Sequence, residues 1–341
     1  MDYKKTNEEI TQDALTPQSF KEEVEVAETQ LFLTPRQIVI RRFLQNRLAV
    51  AGLCVLIFMF IFSFILPIFY PYSATELFYL DRETGELIRG YETDRIGDAI
   101  LARLQPMSMQ NPLGTNEMGQ DMLARLMIGG QVSLLVALTV VLVCLIIGVT
   151  LGGLAGYFGG WMDMLVMRLC DIIASIPFMP LMFIISAIMI VTMVSPEDRI
   201  YFTMILIALL YWTPDARIVR GNILYLRELE YMQAARATGI RTRGQVFRHL
   251  IPNTLPSIIV NTTLALGSVV LLESVLSFLG VGTAVPFASW GNMVQSVNNN
   301  EVMRGHPNVW IPPGIAILLV VLAFNFVGDG LRDATDPKAR R

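Results

Sequence analysis

Three groups of residues in this chain have types and spacings that could do chemistry or carry a mechanical load. Glu273 stands alone in the apolar run 257–280, with no cation near it in sequence. A carboxyl group in such a run is costly and needs a partner, so it either lines a polar path or hydrogen-bonds to a neighbouring helix. Arg168 and Asp171 lie three apart in another apolar run. That spacing lets them pair on one helix face, with the arginine reaching back toward water. The third group is the segment EYMQAARATGIRTRGQVFRHLIPN, residues 230–253, in which Arg236, Arg241, Arg243 and Arg248 interrupt two greasy stretches.

None of these groups is a catalytic constellation. The chain has only two histidines, His249 and His306, and no His-Glu-x-x-His, so a metal centre is not expected. The dipeptide Gly-Lys occurs nowhere, which excludes a glycine-rich phosphate loop. Cys54, Cys144 and Cys170 are scattered through apolar runs and read as small buried packing residues, not as a disulfide framework or zinc site. A formal net charge of −3 gives no reason to expect a nucleic-acid partner.

The elements that must position these residues are membrane spans. Of the 341 residues 53% are hydrophobic and 16% charged, where soluble domains carry about 25% charged. A hydrocarbon core about 30 Å thick needs roughly 20 helical residues. Six runs qualify: 48–70, 132–155, 164–191, 200–217, 257–280 and 309–328. Pro177 and Pro180 interrupt the third, as a kink or as a break facing a cavity. Pro214 kinks or shortens the fourth. Before the first span, residues 1–34 read as an acidic, poorly ordered tail, with no cleavable leader. Residues 35–47, PRQIVIRRFLQNR, read as a basic amphipathic helix lying on membrane lipid.

Loop charge sets the expected orientation. Arg36, Arg41, Arg42 and Arg47 precede the first span, which places the N-terminus in the cytoplasm. The segment 71–131 is acid-rich (Glu76, Asp81, Glu83, Glu86, Glu92, Asp94, Asp98) and is expected outside. Residues 217–248 hold seven arginines against Glu228 and Glu230, and are expected inside. The tail 329–341, with Arg332, Lys338, Arg340 and Arg341, also faces the cytoplasm. The remaining stretch, 132–328, is a five-helix core interrupted by the cytoplasmic insert 218–256.

That insert is far longer than a connector between adjacent helices requires. Ala234, Ala235 and Ala237 are good helix formers with little bulk, so another surface can approach closely. Gly239 can turn the chain at the helix end. A second helix from about Arg243 to Leu250 is expected to lead back, closed by Pro252 and Pro256 before the fifth span. The surface so displayed suits docking into a groove of another protein; a solvated loop with no partner is the plain alternative. Along the second span and its exit Gly148, Gly152 and Gly156 recur every four residues, the period at which small residues let helix backbones pack.

The order Gln233-Ala234-Ala235, three residues, Gly239, nine residues, His249, one residue, Ile251-Pro252 resembles the permease signature of bacterial ATP-binding cassette importers. Gln233 stands where that signature has an acid, and His249 where it has an apolar residue. NPLGTNEMGQDMLARLMIGGQVSLLVAL, GYFGGWMDMLVMRLCDIIASIPFMPLMF and LLESVLSFLGVG are similar to the C-type membrane subunit of oligopeptide and dipeptide importers, with Asn111 where a histidine is usual. The resemblance covers roughly Arg36 to Lys338.

It implies an all-α, polytopic fold of the type I importer class, with six transmembrane helices, an N-terminal amphipathic helix and a cytoplasmic coupling helix. Gln233, Ala234, Ala235, Arg236, Gly239 and Pro252 become the ATPase-coupling residues. The implied partners are a second homologous permease, two cytoplasmic ATPases and an extracytoplasmic peptide-binding protein. ATP and Mg would sit on the ATPases, with no cofactor on this chain. The cargo implied is peptide or another solute such as nickel. A non-transport receptor or scaffold is the alternative from a different class. If the coupling reading holds, isolation in mild detergent brings an ATPase with the chain; recovery of the chain alone under cross-linking contradicts it.

Overall fold

The computed structural model describes residues 34–90 and 99–336. The acidic tail before Thr34, the acids Glu92, Asp94 and Asp98, and the terminal Lys338, Arg340 and Arg341 lie outside the described residues.

The first helix, α1 (Pro35–Gln45), opens with proline in its first turn, where a missing N–H costs nothing. The Thr34 N–H donates to Gln37 Oε1 at 2.9 Å, closing that end. Asn46 then caps α2 (Arg47–Phe69) by accepting from the Leu48 and Ala49 N–H groups. A π-helical stretch, Ile61–Ile65, lies within α2. Cys54 on this helix is exposed, whereas Cys144 and Cys170 are buried. The expectation of three buried cysteines is corrected there.

Between α2 and the next span the chain makes a small antiparallel sheet, β2 (Leu87–Arg89), β1 (Phe78–Leu80), β3 (Ile100–Leu101) in spatial order. Tyr79 pairs with Ile88 on one side and Leu101 on the other. Strands this short carry little hydrophobic periodicity, and the sequence reading assigned none.

The rest is helical. α3 (Met122–Phe158) has 37 residues and is about 55 Å long, well beyond the thickness of a hydrocarbon core. The expected second span, 132–155, is its middle. α4 (Gly160–Ser175) and α5 (Phe178–Val191) replace the third expected span and meet at a 74° bend. Ile176 is held extended before Pro177, as the proline ring requires, so the helix stops there. α6 (Pro196–Tyr211) and α7 (Thr213–Leu226) together make one apolar element of 31 residues. Pro214 sits in the first turn of α7, where it restarts the helix and does not end it.

After a short helix, α8 (Glu230–Ala237), the chain enters α9 (Thr242–Phe278). α10 (Trp290–Gln295) and α11 (Asn300–Gly305) fold back on the bundle before the last helix, α12 (Pro307–Thr335). Among the described residues five helices are long and apolar enough to cross a membrane, and the bent α4–α5 pair makes a sixth if counted as one span.

Two expectations about the insert are corrected. It does not occupy 218–256: α7 runs on to Leu226 and α9 begins at Thr242, so only about fifteen residues stand clear. Nor do Pro252 and Pro256 end a separate second helix. Residues Gln245–Leu250 are π-helical, and the widened turns pass directly into the long helix. The Asn253 side-chain amide donates to the His249 carbonyl at 2.6 Å, supplying a donor beside the two prolines.

α3 and α7 form the most extensive helix pair of the bundle. Gly148, Gly152 and Gly156 of α3 face Asp215, Ala216, Arg220 and Ile223 of α7. A Cβ at Gly152 would overlap the Ala216 carbonyl oxygen, and one at Gly156 would lie 2.9 Å from the Arg220 carbonyl oxygen. The neighbouring Gly153 has room: its Cβ would meet only Ile223 Cδ1 at 3.7 Å. Gly152→Leu is therefore expected to lower stability in detergent by about 2–3 kcal/mol or to prevent assembly. Gly153→Ala should stay within about 0.5 kcal/mol of the parent chain. Thermal unfolding of the two variants side by side checks this.

Candidate functional site

The polar knob between α7 and α9 is the most singular surface of the molecule. α8 turns Met232 and Ala235 inward and leaves Gln233, Ala234, Arg236 and Ala237 exposed. Met232 is fully buried in a second, separate core with Val219, Ile223, Leu250 and Ile258. The inward face of the knob is thus packed on α7 and α9, while its outward face exposes the methyl groups of Ala234 and Ala237 between Glu230, Tyr231, Gln233 and Arg236.

The end of α8 is locked by its own backbone. The Ile240 N–H donates to the Ala235 carbonyl at 3.1 Å, and the Gly239 N–H to the Arg236 carbonyl at 3.0 Å. This six-to-one and five-to-two pair requires a left-handed residue between them. Gly239 supplies it at φ +75°, with open space around it. Thr238 adds a hydroxyl bond to the Ala234 carbonyl at 3.0 Å.

Gln233 does not reach out for a partner. Its amide donates to the Glu228 carbonyl at 3.2 Å, and Arg236 donates to the Arg227 carbonyl at 3.2 Å. Both side chains tie α8 to the segment before it. Pro252 lies on α9, just after its π-helical stretch, and is exposed.

Two residues that sequence reasoning missed bind the knob to the spans. Arg227 donates from Nη1 to the carbonyls of Gly156 (3.0 Å) and Tyr157 (3.2 Å). It thereby covers carbonyls left open at the last turn of α3, where positive charge is favoured. Gln245 is buried, accepts from the Tyr157 hydroxyl at 2.9 Å and donates to the Ile240 carbonyl at 2.7 Å. Sequence reading counted Arg227 only toward loop charge, and nothing marked Gln245 at all. Their partners on α3 lie some 70 to 90 residues away.

The expected Arg168–Asp171 pair is not formed. Asp171 accepts from Arg217 Nη2 of α7 at 2.9 Å, and Arg168 is exposed without an ion pair among the described residues. Close by, Arg220 of α7 makes two bonds to Asp163 of α4, the one from Nη2 to Oδ2 at 2.7 Å. The cation thus comes from the facing helix, because α7 runs beside α4 and aims its arginines at that helix's acids. A spacing rule within one helix cannot see this competition.

Glu273 lies about one and a half turns from the end of α9, nearer the sheet end of the bundle than its place in the apolar run suggested. It is 2% exposed and does not line an open path of this chain. Ser133 of α3 donates to Oε2 at 2.9 Å, and Ser277 to Oε1 at 2.7 Å. Each serine oxygen in turn accepts a backbone N–H, from Trp290 at 3.3 Å and from Thr283 at 3.0 Å. Each hydroxyl thus bridges a backbone N–H and the carboxyl group. Glu273 therefore fastens α3 and the segment 283–290 to α9.

At the same end Asp121 caps α3 by accepting from the Ala124 N–H at 2.6 Å. The Asn111 amide donates to it at 2.7 Å and the Tyr70 hydroxyl at 3.2 Å. Burial pushes the Asp121 carboxyl above its usual range despite these donors. Asn111, the position where the resembled family has histidine, thus holds the cap of α3.

The family described as "binding-protein-dependent transport system inner membrane component" matches residues 148–341, and the "N-terminal TM domain of oligopeptide transport permease C" matches residues 34–84. Among similar proteins is an oligopeptide transport system permease protein of Haemophilus influenzae. It is 36% identical over 300 residues, covering 88% of this chain and 88% of the relative. One of the same description from Mycobacterium tuberculosis is 34% identical over 313 residues, covering 91% of this chain and 97% of the relative.

Replacing Glu273 with leucine would strand the hydroxyls of Ser133 and Ser277. It is expected to cost on the order of 2 kcal/mol of stability, with glutamine milder because it keeps one acceptor. For Glu273→Gln, transport per assembled complex should be retained while the unfolding midpoint falls. A loss of transport at unchanged stability would instead place this carboxyl group in the translocation step.

Proposed function

This chain belongs to the family of binding-protein-dependent transport system inner membrane components, and from that premise we propose that it is the permease subunit of a peptide importer, moved by α8. The family member is a multi-pass inner-membrane subunit without enzymatic activity of its own. Its relatives carry the description of oligopeptide transport permeases, which supports peptide as the cargo.

The observation that carries the mechanism is the two-faced character of α8. One face is embedded in the second core through Met232 and Ala235, and the other offers Ala234 and Ala237 to solvent. A small-residue surface permits close approach by a groove, and an embedded face passes force onward. We assign α8 to the cytoplasm, beside the arginines of 217–248, and the sheet to the outside; both termini then lie in the cytoplasm.

In this reading two cytoplasmic ATPases hold ATP and Mg, and one of them receives α8 in a surface cleft. A second permease subunit completes the pathway, and an extracytoplasmic protein delivers peptide. Closure of the ATPases on ATP would displace α8. Because α8 is anchored to α7 and α9, and Arg227 holds the end of α3, those helices would turn with it. The transporter then exchanges outward-open and inward-open states, the balance set by their different affinities for ATP. Gln233 needs no charge for this, since its amide works within the chain.

Ala234→Trp tests the reading. Ala234 is exposed, so the bulk is tolerated within this chain but fills the docking face. Membrane levels and unfolding midpoint should match the parent chain while ATP-driven peptide uptake falls at least tenfold. Uptake that survives this substitution contradicts the assignment of α8.

A further inference from the structure

A cleft of about 300 Å³ opens at the sheet end of the chain, between residues 116–118 and the segment 285–299. Its distinctive lining residue is Arg125, in the first turn of α3. Arg125 is 5% exposed, and no carboxylate pairs with it among the described residues. A buried cation without a counter-ion is costly. It also sits at a helix N-terminus, where the backbone dipole disfavours positive charge.

Its hydrogen bonds are one-sided. Nη1 donates to the carbonyls of Ala74 (3.2 Å) and Pro286 (3.0 Å) and to Gln120 Oε1 (2.6 Å). Nε and Nη2 have no partner among the described residues, and neither is among the buried atoms sealed from solvent. These two donors form one edge of the guanidinium fork, the edge that takes two oxygens of a planar anion. Three oxygens thus fix one corner of the group and leave the bidentate edge unpaired in a residue that lines the cleft.

We propose that the Nε–Nη2 edge of Arg125 receives a carboxylate carried by a polypeptide at the sheet end of the chain. The sources sharing this chemistry are the C-terminus of the transported peptide and an acidic side chain of the protein that delivers it. The polypeptide nature of the ligand rests on the importer reading above; the anion site itself does not. Carboxylate is favoured over phosphate because Gln295 and Asn298 line the same cleft, and side-chain amides pair with peptide groups flanking a carboxylate. Glu117 lines it too, its carboxylate accepting from the Asn299 amide, and a like charge there disfavours a dianion more than a monoanion.

The first experiment needs no transport. N-acetyl-dialanine, its C-terminal amide and inorganic phosphate are titrated onto the full-length chain, assembled with its partner subunits in nanodiscs, with binding read by ligand-observed NMR. The free carboxylate should bind saturably, and the amide and phosphate at least tenfold more weakly. Arg125→Met should abolish the difference. Because Arg125 also holds three oxygens, Asn298→Trp serves as a second variant that fills the cleft and leaves those bonds intact; it should abolish binding at an unchanged unfolding midpoint. Equal binding of acid and amide, tighter binding of phosphate, or full binding by Asn298→Trp overturns the proposal.

The second experiment separates the sources by measuring docking of the delivery protein loaded with a peptide or with its amide. A tenfold weakening by Asn298→Trp for both loads assigns the carboxylate to the delivery protein; weakening for the free acid alone assigns it to the cargo. No weakening with either load overturns the site as a recognition element. A complex that binds the acid probe but imports no peptide would refute the importer reading and leave the anion site standing.

Discussion

The backbones of α3 and α7 come so close that no side chain fits between them at Gly152, and the arrangement of the knob end follows from that contact. In lipid, apolar side chains gain little by leaving one another or the bilayer, so helix association rests on close packing and on bonds that lipid cannot supply. Three glycines at intervals of four give α7 a groove to lie in. Once it lies there, Arg217 and Arg220 are brought to Asp171 and Asp163 of α4, and Arg227 reaches the end of α3. The second core then closes beneath α8. A bulky residue in the groove would shift α7 outward and disturb each of these contacts together.

The opposite end is organised by polar groups instead. Glu273 collects two serine hydroxyls, each already committed to a backbone N–H of the segment 283–290. Arg125 takes a carbonyl from that same segment and another from Ala74. Asp121 draws Asn111 and Tyr70 to the first turn of α3. The two ends of α3 therefore differ in kind. One is fixed by steric fit and covered by an arginine; the other is held by donors whose partners lie far along the chain.

Much of this was legible in the sequence where a single segment carried the signal. The apolar runs, the four-residue glycine period and the small-residue helix ending at Gly239 each have a local cause, and each can be read from consecutive residues. What could not be read depends on partners brought together only by folding. Asp171 has a candidate cation three residues away and takes Arg217 instead, because the facing helix presents it more directly. Gln245 and Arg227 look like ordinary loop residues until Tyr157 and the end of α3 arrive beside them. Proline misled for another reason. Pro252 and Pro256 ordinarily mark a helix boundary, but α9 passes from its π-helical turns straight through Pro252 and keeps Pro256 inside it. The short strands at the other end follow tertiary pairing more than local pattern, and so escaped notice.

If α8 passes force to the membrane helices, α8 and α3 move as one body, and displacement of the knob is displacement of the spans. Spin labels at Arg241, beside the knob, and at Leu142, on the exposed side of α3, report this directly, with the native cysteines replaced. Pulsed electron-electron distance measurements on the assembled transporter, without ATP and with trapped ATP, should show that separation changing by less than about 2 Å. The distance from Arg241 to the other permease subunit should change by more. A knob that swings several ångströms relative to Leu142 while the spans hold still would show that α8 is a flexible tether and would contradict rigid coupling.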